Sequence, residues 1–177
     1  MGTKILNTSD RAGVITDSVH QLVDEGKVFF VSHTFTEVTN EATVYLRHVS
    51  GDFEHLHSLL DIDTTGEWQF ISYSGTTYTA PGTPLTAINR RSDSTNTLSA
   101  NFYHTPTIDE LGTPRLQFRF GSGTNPAKAQ TGQFGEKFES IFAPGTDVLI
   151  ALTNDSGSTQ YISSVFNVYE LPLEPTE

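Results

Sequence analysis

The sequence predicts an all-β chain, an antiparallel β-sandwich of jelly-roll-like type with a short N-terminal arm. Three observations carry that expectation. Apolar and polar residues alternate in short runs, the period-2 signature of half-buried strands. Clusters of Gly, Pro, Asn, Asp and Ser break those runs about every eight to fifteen residues. Twelve Phe and six Tyr in 177 residues supply large buried area per side chain, enough for one core.

Residues 1–25 read as an arm. Ile15, Val19, Leu22 and Val23 fall on one face of a helix, and Gly26 is placed to stop it. Asp24 and Glu25 would then sit at the negative end of the helix dipole, and β-branched residues are frequent, so an extended arm fits equally well. The domain proper is expected over 26–171. Phe29, Val31 and Phe35 alternate with Phe30, Ser32, Thr34 and Thr36, and a turn at 39–41 leads to a strand over 44–49. Further strands are expected at 55–60, before a turn at 64–66, and at 68–73. A polar segment, Asn89 to Thr97, lies between two strand-like ends, the second being Leu98, Ala100 and Phe102 alternating with Ser99, Asn101 and Tyr103. Its short hydrogen-bonding side chains cap their own backbone and predict a shaped loop. Beyond Pro106, a break at 110–114 precedes a strand with Leu116, Phe118 and Phe120 facing inward. A Gly- and Thr-rich loop begins at Gly121, and 136–142 fits either a turn or a strand. Two last strands, 148–152 and 161–169, flank the turn at 154–157, and the proline-bearing tail 172–177 is expected to leave the sheet.

Composition narrows the function. A net charge of −11 with only ten scattered Lys and Arg argues against nucleic acid, whose phosphates are held by clustered cations. It favours a partner with a basic surface. No run approaches the roughly eighteen apolar residues of a membrane span, and no secretory signal is visible. Without cysteine there is no disulfide frame and no thiolate metal site.

The candidate chemistries are thin. His55 and His57 share a strand face, and with His48, His104, Asp61 or Asp63 they make a weak zinc constellation. Solvated strand histidines are the plainer account. Asp61-Ile-Asp63 opens like a calcium loop, but the twelfth position is Ser72, not Glu, so a turn with solvated carboxylates is expected. Gly121-Ser-Gly123 lacks the third glycine of a dinucleotide fingerprint, since position 126 is Pro. No Gly-x-Ser-x-Gly elbow exists, and Glu67, Glu136 and Glu139 have no spacing that marks a glycosidase pair. The chain is therefore expected not to be an enzyme and to need no cofactor. Trp68, Tyr73, Tyr78 and Tyr103 offer an aromatic platform for a sugar, which defines the alternative function, a carbohydrate- or receptor-binding module of a head fibre or tail. Asn7-Thr-Ser9 and Asn154-Asp-Ser156 match the glycosylation pattern and are expected to be idle.

Four segments carry a resemblance. Asp24-Glu-Gly-Lys-Val-Phe-Phe30, Pro84-Leu-Thr-Ala-Ile-Asn-Arg-Arg-Ser-Asp-Ser-Thr-Asn-Thr97, Ala143-Pro-Gly-Thr-Asp-Val-Leu-Ile-Ala-Leu-Thr-Asn-Asp-Ser-Gly157 and Phe166-Asn-Val-Tyr-Glu170 together resemble small virion proteins of tailed bacteriophages. These are the jelly-roll proteins encoded near the major capsid gene and regarded as head decoration or cementing proteins. The resemblance covers roughly 20–170, with its most specific piece at Asn89-Arg90-Arg91-Ser92 and Asn96-Thr97. Family members commonly show Asn-x-Asn-Arg where this chain has Ala-Ile-Asn89-Arg90-Arg91, which leaves open which arginine takes the shared role. It implies a virion protein on the capsid surface, assembled in the host cytoplasm, binding the major capsid protein lattice and itself, commonly as a homotrimer. Asn89, Arg90, Arg91, Ser92 and Asn96 are then the expected oligomer interface, with the arginine forks meeting a neighbour's carboxylates. Ile5, Leu6, Val14, Ile15 and Val19 are the expected capsid-gripping residues of the arm.

Overall fold

The computed structural model describes residues 20–52, 54–121 and 139–172. Alternation drives the long strands β1 (Val28–Val38), β2 (Thr43–Val49), β3 (Glu54–Thr64) and β4 (Trp68–Ser74). Five short strands follow, β5 (Thr77–Ala80), β6 (Thr83–Leu85), β7 (Ile88–Asn89), β8 (Asn101–His104) and β9 (Thr107–Glu110). The chain closes with β10 (Thr113–Phe120), β11 (Ser140–Phe142), β12 (Asp147–Asn154) and β13 (Gln160–Pro172).

Two antiparallel sheets form. One runs β11-β3-β13-β1-β7, the other β10-β4-β12-β2-β8-β6. From β1 to β4 the chain changes sheet at every strand, stays in the second sheet for β10, then alternates again through β11, β12 and β13. Two interlocked Greek keys of this kind make a jelly roll. Its core lies between the inner faces, where Val31, Leu46, Leu56, Trp68, Leu152, Ile162 and Val168 are buried. Along β12 the run Val148 to Leu152 is buried at every position, so this central strand is covered on both faces.

The segment between β4 and β10 is an insertion with a structural purpose. It pairs with the second sheet as β6, crosses to the first as β7, and returns as β8. The polar loop 89–97 is therefore part of a strap across the β1–β2 side of the sandwich. The opposite side, between edge strands β10 and β11, has no such strap among the described residues.

Several expectations change. β3 continues through Asp61, Ile62 and Asp63, so these carboxylates sit on a paired strand opposite Val165, Ser164 and Ser163 rather than in a turn. The alternation Leu60-Asp61-Ile62-Asp63-Thr64 is itself a strand pattern, with Ile62 and Thr64 buried. Leu116 shares the inner face with Phe118 and Phe120, in register opposite Ser72, Phe70 and Trp68, but is about half exposed because β10 is an edge strand; Arg115 is an extra residue between the pairs Pro114–Tyr73 and Leu116–Ser72. The two-stranded ribbon of β5 and β9 was hidden in sequence by its exposed, Thr-rich strands. At the C-terminus, Pro172 still pairs with Glu54, one residue into the expected tail.

Candidate functional site

Residues 20–24 form one helical turn. Gly26 ends it with φ +68°, while Lys27 N–H reaches the Leu22 carbonyl and Gly26 N–H the Val23 carbonyl, both at 2.9 Å. That pair of bonds is the Schellman cap, and it places a left-handed residue where glycine is favoured. The cap leaves the carbonyls of Asp24, Glu25 and Gly26 facing the loop.

The loop binds those carbonyls. Asn89 Nδ2 donates to Gly26 O at 2.7 Å, and Asn96 Nδ2 donates to Glu25 O at 2.9 Å. The Arg91 guanidinium donates to the Asp24 carbonyl and to Asp93 Oδ1, the latter at 2.8 Å. Asn89 Oδ1 accepts from Arg91 N–H at 2.9 Å, the Asx-type closure expected of a shaped loop. Arg90 donates its N–H to the Val28 carbonyl and holds its guanidinium 4.9 Å from the Phe30 ring centroid. Four of the five expected interface residues thus anchor the loop within the chain. The Arg91 fork closes on this chain's own acceptors while staying exposed, as do Arg90 and Ser92.

The far end of the loop is held by a residue that sequence reasoning missed. Glu170, on β13, accepts from Ser99 N–H at 2.9 Å, Ser99 Oγ at 2.6 Å and Ala100 N–H at 2.8 Å. Its only sequence signal is a carboxylate ending the alternating run Phe166 to Glu170, which marks a strand position and says nothing of a partner seventy residues away. The expected arm residues Ile5, Leu6, Val14, Ile15 and Val19 lie outside the described residues. The chain nevertheless enters the described fold at this same corner.

Gly26 tests the assembly. A Cβ there would collide with the Ser94 side chain in addition to the positive φ. Gly26→Ala is expected to cost about 2 kcal/mol and to speed amide exchange at Asn89 and Asn96, read by urea melts and hydrogen exchange.

The remaining candidates disperse. His48 is buried inside the sandwich, whereas His57 lies on the other sheet, 2.9 Å from Glu139 Oε1 and stacked on Tyr169 at 4.6 Å. His104 stacks on His33 at 3.9 Å, bridging the two sheets. No three His, Asp or Glu side chains converge in a metal-holding group among the described residues. Trp68 is fully buried and so cannot present a face to a sugar. Tyr78 and Tyr103 instead flank Arg47, whose guanidinium lies 4.0 and 5.4 Å from their ring centroids and is forked onto Asp147 at 2.7–3.2 Å. This stack fastens the β5 ribbon to the outer face of the second sheet. Burial pushes the Tyr78 hydroxyl up to about 12, so it stays protonated and donates to Asp147 Oδ1 at 3.4 Å. Asn154 is fully buried, which closes its glycosylation pattern to modification.

Compared with protein-family models, characterised proteins and solved structures, the chain matches none.

Proposed function

We propose that this chain is a bacteriophage virion structural protein, an auxiliary decoration protein that binds the assembled head and stabilises it without chemistry. The observation that carries the reading is the corner at which loop 89–97 is fastened to the root of the arm. The loop read from sequence for self-association is joined by Asn89, Arg91 and Asn96 to the carbonyls of 24–26, the point at which the described chain leads into β1. A pre-ordered loop loses little entropy when it meets a partner. Beside it, Ile88 is 61% exposed on β7, an apolar residue of the kind that interface centres bury. A clamp that binds only the assembled lattice stabilises it by mass action.

Self-association through Ile88, Arg90, Arg91, Ser92 and their neighbours, with the trimer as the expected state, makes a direct prediction. The double variant Arg90→Ala, Arg91→Ala is expected to weaken association at least tenfold, seen in sedimentation equilibrium as a shift towards monomer. An unchanged profile would mean that the arginines serve the loop alone. The location on the head is tested by cryo-EM of purified particles. Copies following the capsid lattice support the reading, and density confined to the tail, or none, overturns it.

A further inference from the structure

The β10–β11 side of the sandwich, which no strap crosses among the described residues, carries a second feature, independent of the proposed function. Between edge strands β10 and β11 a cavity of about 340 Å³ runs inward to His48. Its walls are apolar, among them Leu60, Phe70, Val148, Ile150 and Phe166. Leu116 and Ile141 form its lips and are 51% and 59% exposed, which is unusual for large aliphatic side chains flanking one opening. Polar groups are few: Ser58 and Ser72 on the walls, Ser140 at the lip, His48 within, and Arg115 as the single charged residue. An apolar cleft of this size with a small set of placed polar groups has the make-up of a small-molecule site.

Two details select the ligand. Arg115 is the bulged residue of β10, and without that insertion the strand would give this position a ladder partner and the opposite face. The bulge thus sets a guanidinium at the mouth of an apolar chamber, in a chain of net charge −11, where it has no ion pair among the described residues. No acidic residue lines the chamber among the described residues, so a cation has nothing to meet. Deep inside, the chamber ends at His48, which is 1% exposed and packed by the Phe142 and Phe166 rings, so its far end presents no charged group.

We propose that this cavity binds a medium-chain monocarboxylate, its carboxylate on Arg115 and its alkyl chain between the sheets, ending against His48 and Phe166. At the roughly 30 Å³ that a water occupies in the liquid, the volume holds about ten to twelve non-hydrogen atoms, the size of octanoate or decanoate.

Calorimetric titration of the full chain at pH 7 with hexanoate, octanoate, decanoate and decan-1-ol tests this. Saturable one-to-one binding is expected, tightening about three- to fourfold per methylene up to decanoate, with a Kd of ~10–100 µM for the last. Decan-1-ol should bind at least tenfold more weakly, and Arg115→Gln should weaken decanoate about tenfold while leaving decan-1-ol unchanged. Ser140→Phe, an exposed lip position that leaves the core intact, should block both, and the His48 ring resonances of the wild type should shift on binding. Failure of every probe to saturate, equal affinity for acid and alcohol, undiminished decanoate binding by Arg115→Gln, or binding without a His48 shift would each overturn the site.

Discussion

Acidification from pH 6.5 to 4 is expected to remove about 3 kcal/mol of stability through His48 alone, and His48→Leu should abolish that part of the pH dependence. Burial lowers the folded-state value of His48 from 6.5 to about 4, with the nearby Asp147 carboxylate opposing the shift only weakly. The side chain is packed by the rings of Phe102, Phe142 and Phe166, at 5.6, 4.5 and 6.4 Å between centroids, an apolar surrounding that replaces the water a cation would need. Between the two values the unfolded chain holds a proton that the folded chain refuses. Stability is therefore complete above about pH 6.5, falls as acid is added, and levels off below about pH 4, at roughly 1.4 kcal/mol for each pH unit crossed in that window. His33 contributes in the same direction, because its own burial and the facing His104 both lower it. A residual slope is therefore expected in the His48→Leu protein. Urea midpoints from pH 4 to 8 for both proteins provide the measurement; parallel curves would contradict the assignment.

The second large effect is expected at Asn154. Its Nδ2 donates to the carbonyls of Val38 and Ser158, each at 2.8 Å, and its Oδ1 accepts from Ser156 N–H at 3.0 Å. These bonds tie the end of β1 to the turn between β12 and β13, and so join the two sheets at one end of the sandwich. Asn154→Ala removes three bonds and leaves the Val38 carbonyl without its side-chain donor in a buried setting. A loss of about 3 kcal/mol is expected, since an orphaned buried polar group costs ~1–3 kcal/mol beyond the lost bonds. Asn154→Asp should be as damaging, because a carboxylate cannot donate to either carbonyl. Chemical denaturation of both variants checks the pair; a tolerated aspartate would show that shape, not donation, matters.

The two-sheet β architecture was legible because its evidence is local. Alternation in β1, β2, β4 and β13 follows from burying one face, β12 reads as a continuous apolar run, and the turns between them carry the Gly, Asn and Asp residues that such bends require. Gly26 was readable as a stop for the same reason. What sequence reading missed depends on distant partners. Trp68, Tyr78 and Tyr103 look alike as aromatic residues, yet one is core and two flank Arg47, because strand pairing decides which face each occupies. The Arg115 bulge shifts the β10 register by one residue, and no local pattern announces such a slip. The Asn89–Asn96 loop was recognised as shaped, but its seat on 24–26 and the Glu170 anchor required the fold.

The position of β13 has a consequence for biosynthesis. It lies in the middle of the first sheet, with β3 on one side and β1 on the other. During translation, therefore, β1 and β3 have no shared neighbour until residues 160–172 leave the ribosome. Assembly of that sheet waits for nearly the whole described chain to be made, and a ribosome stalled after β12 would hold a nascent polypeptide with two unpaired, aggregation-prone edges.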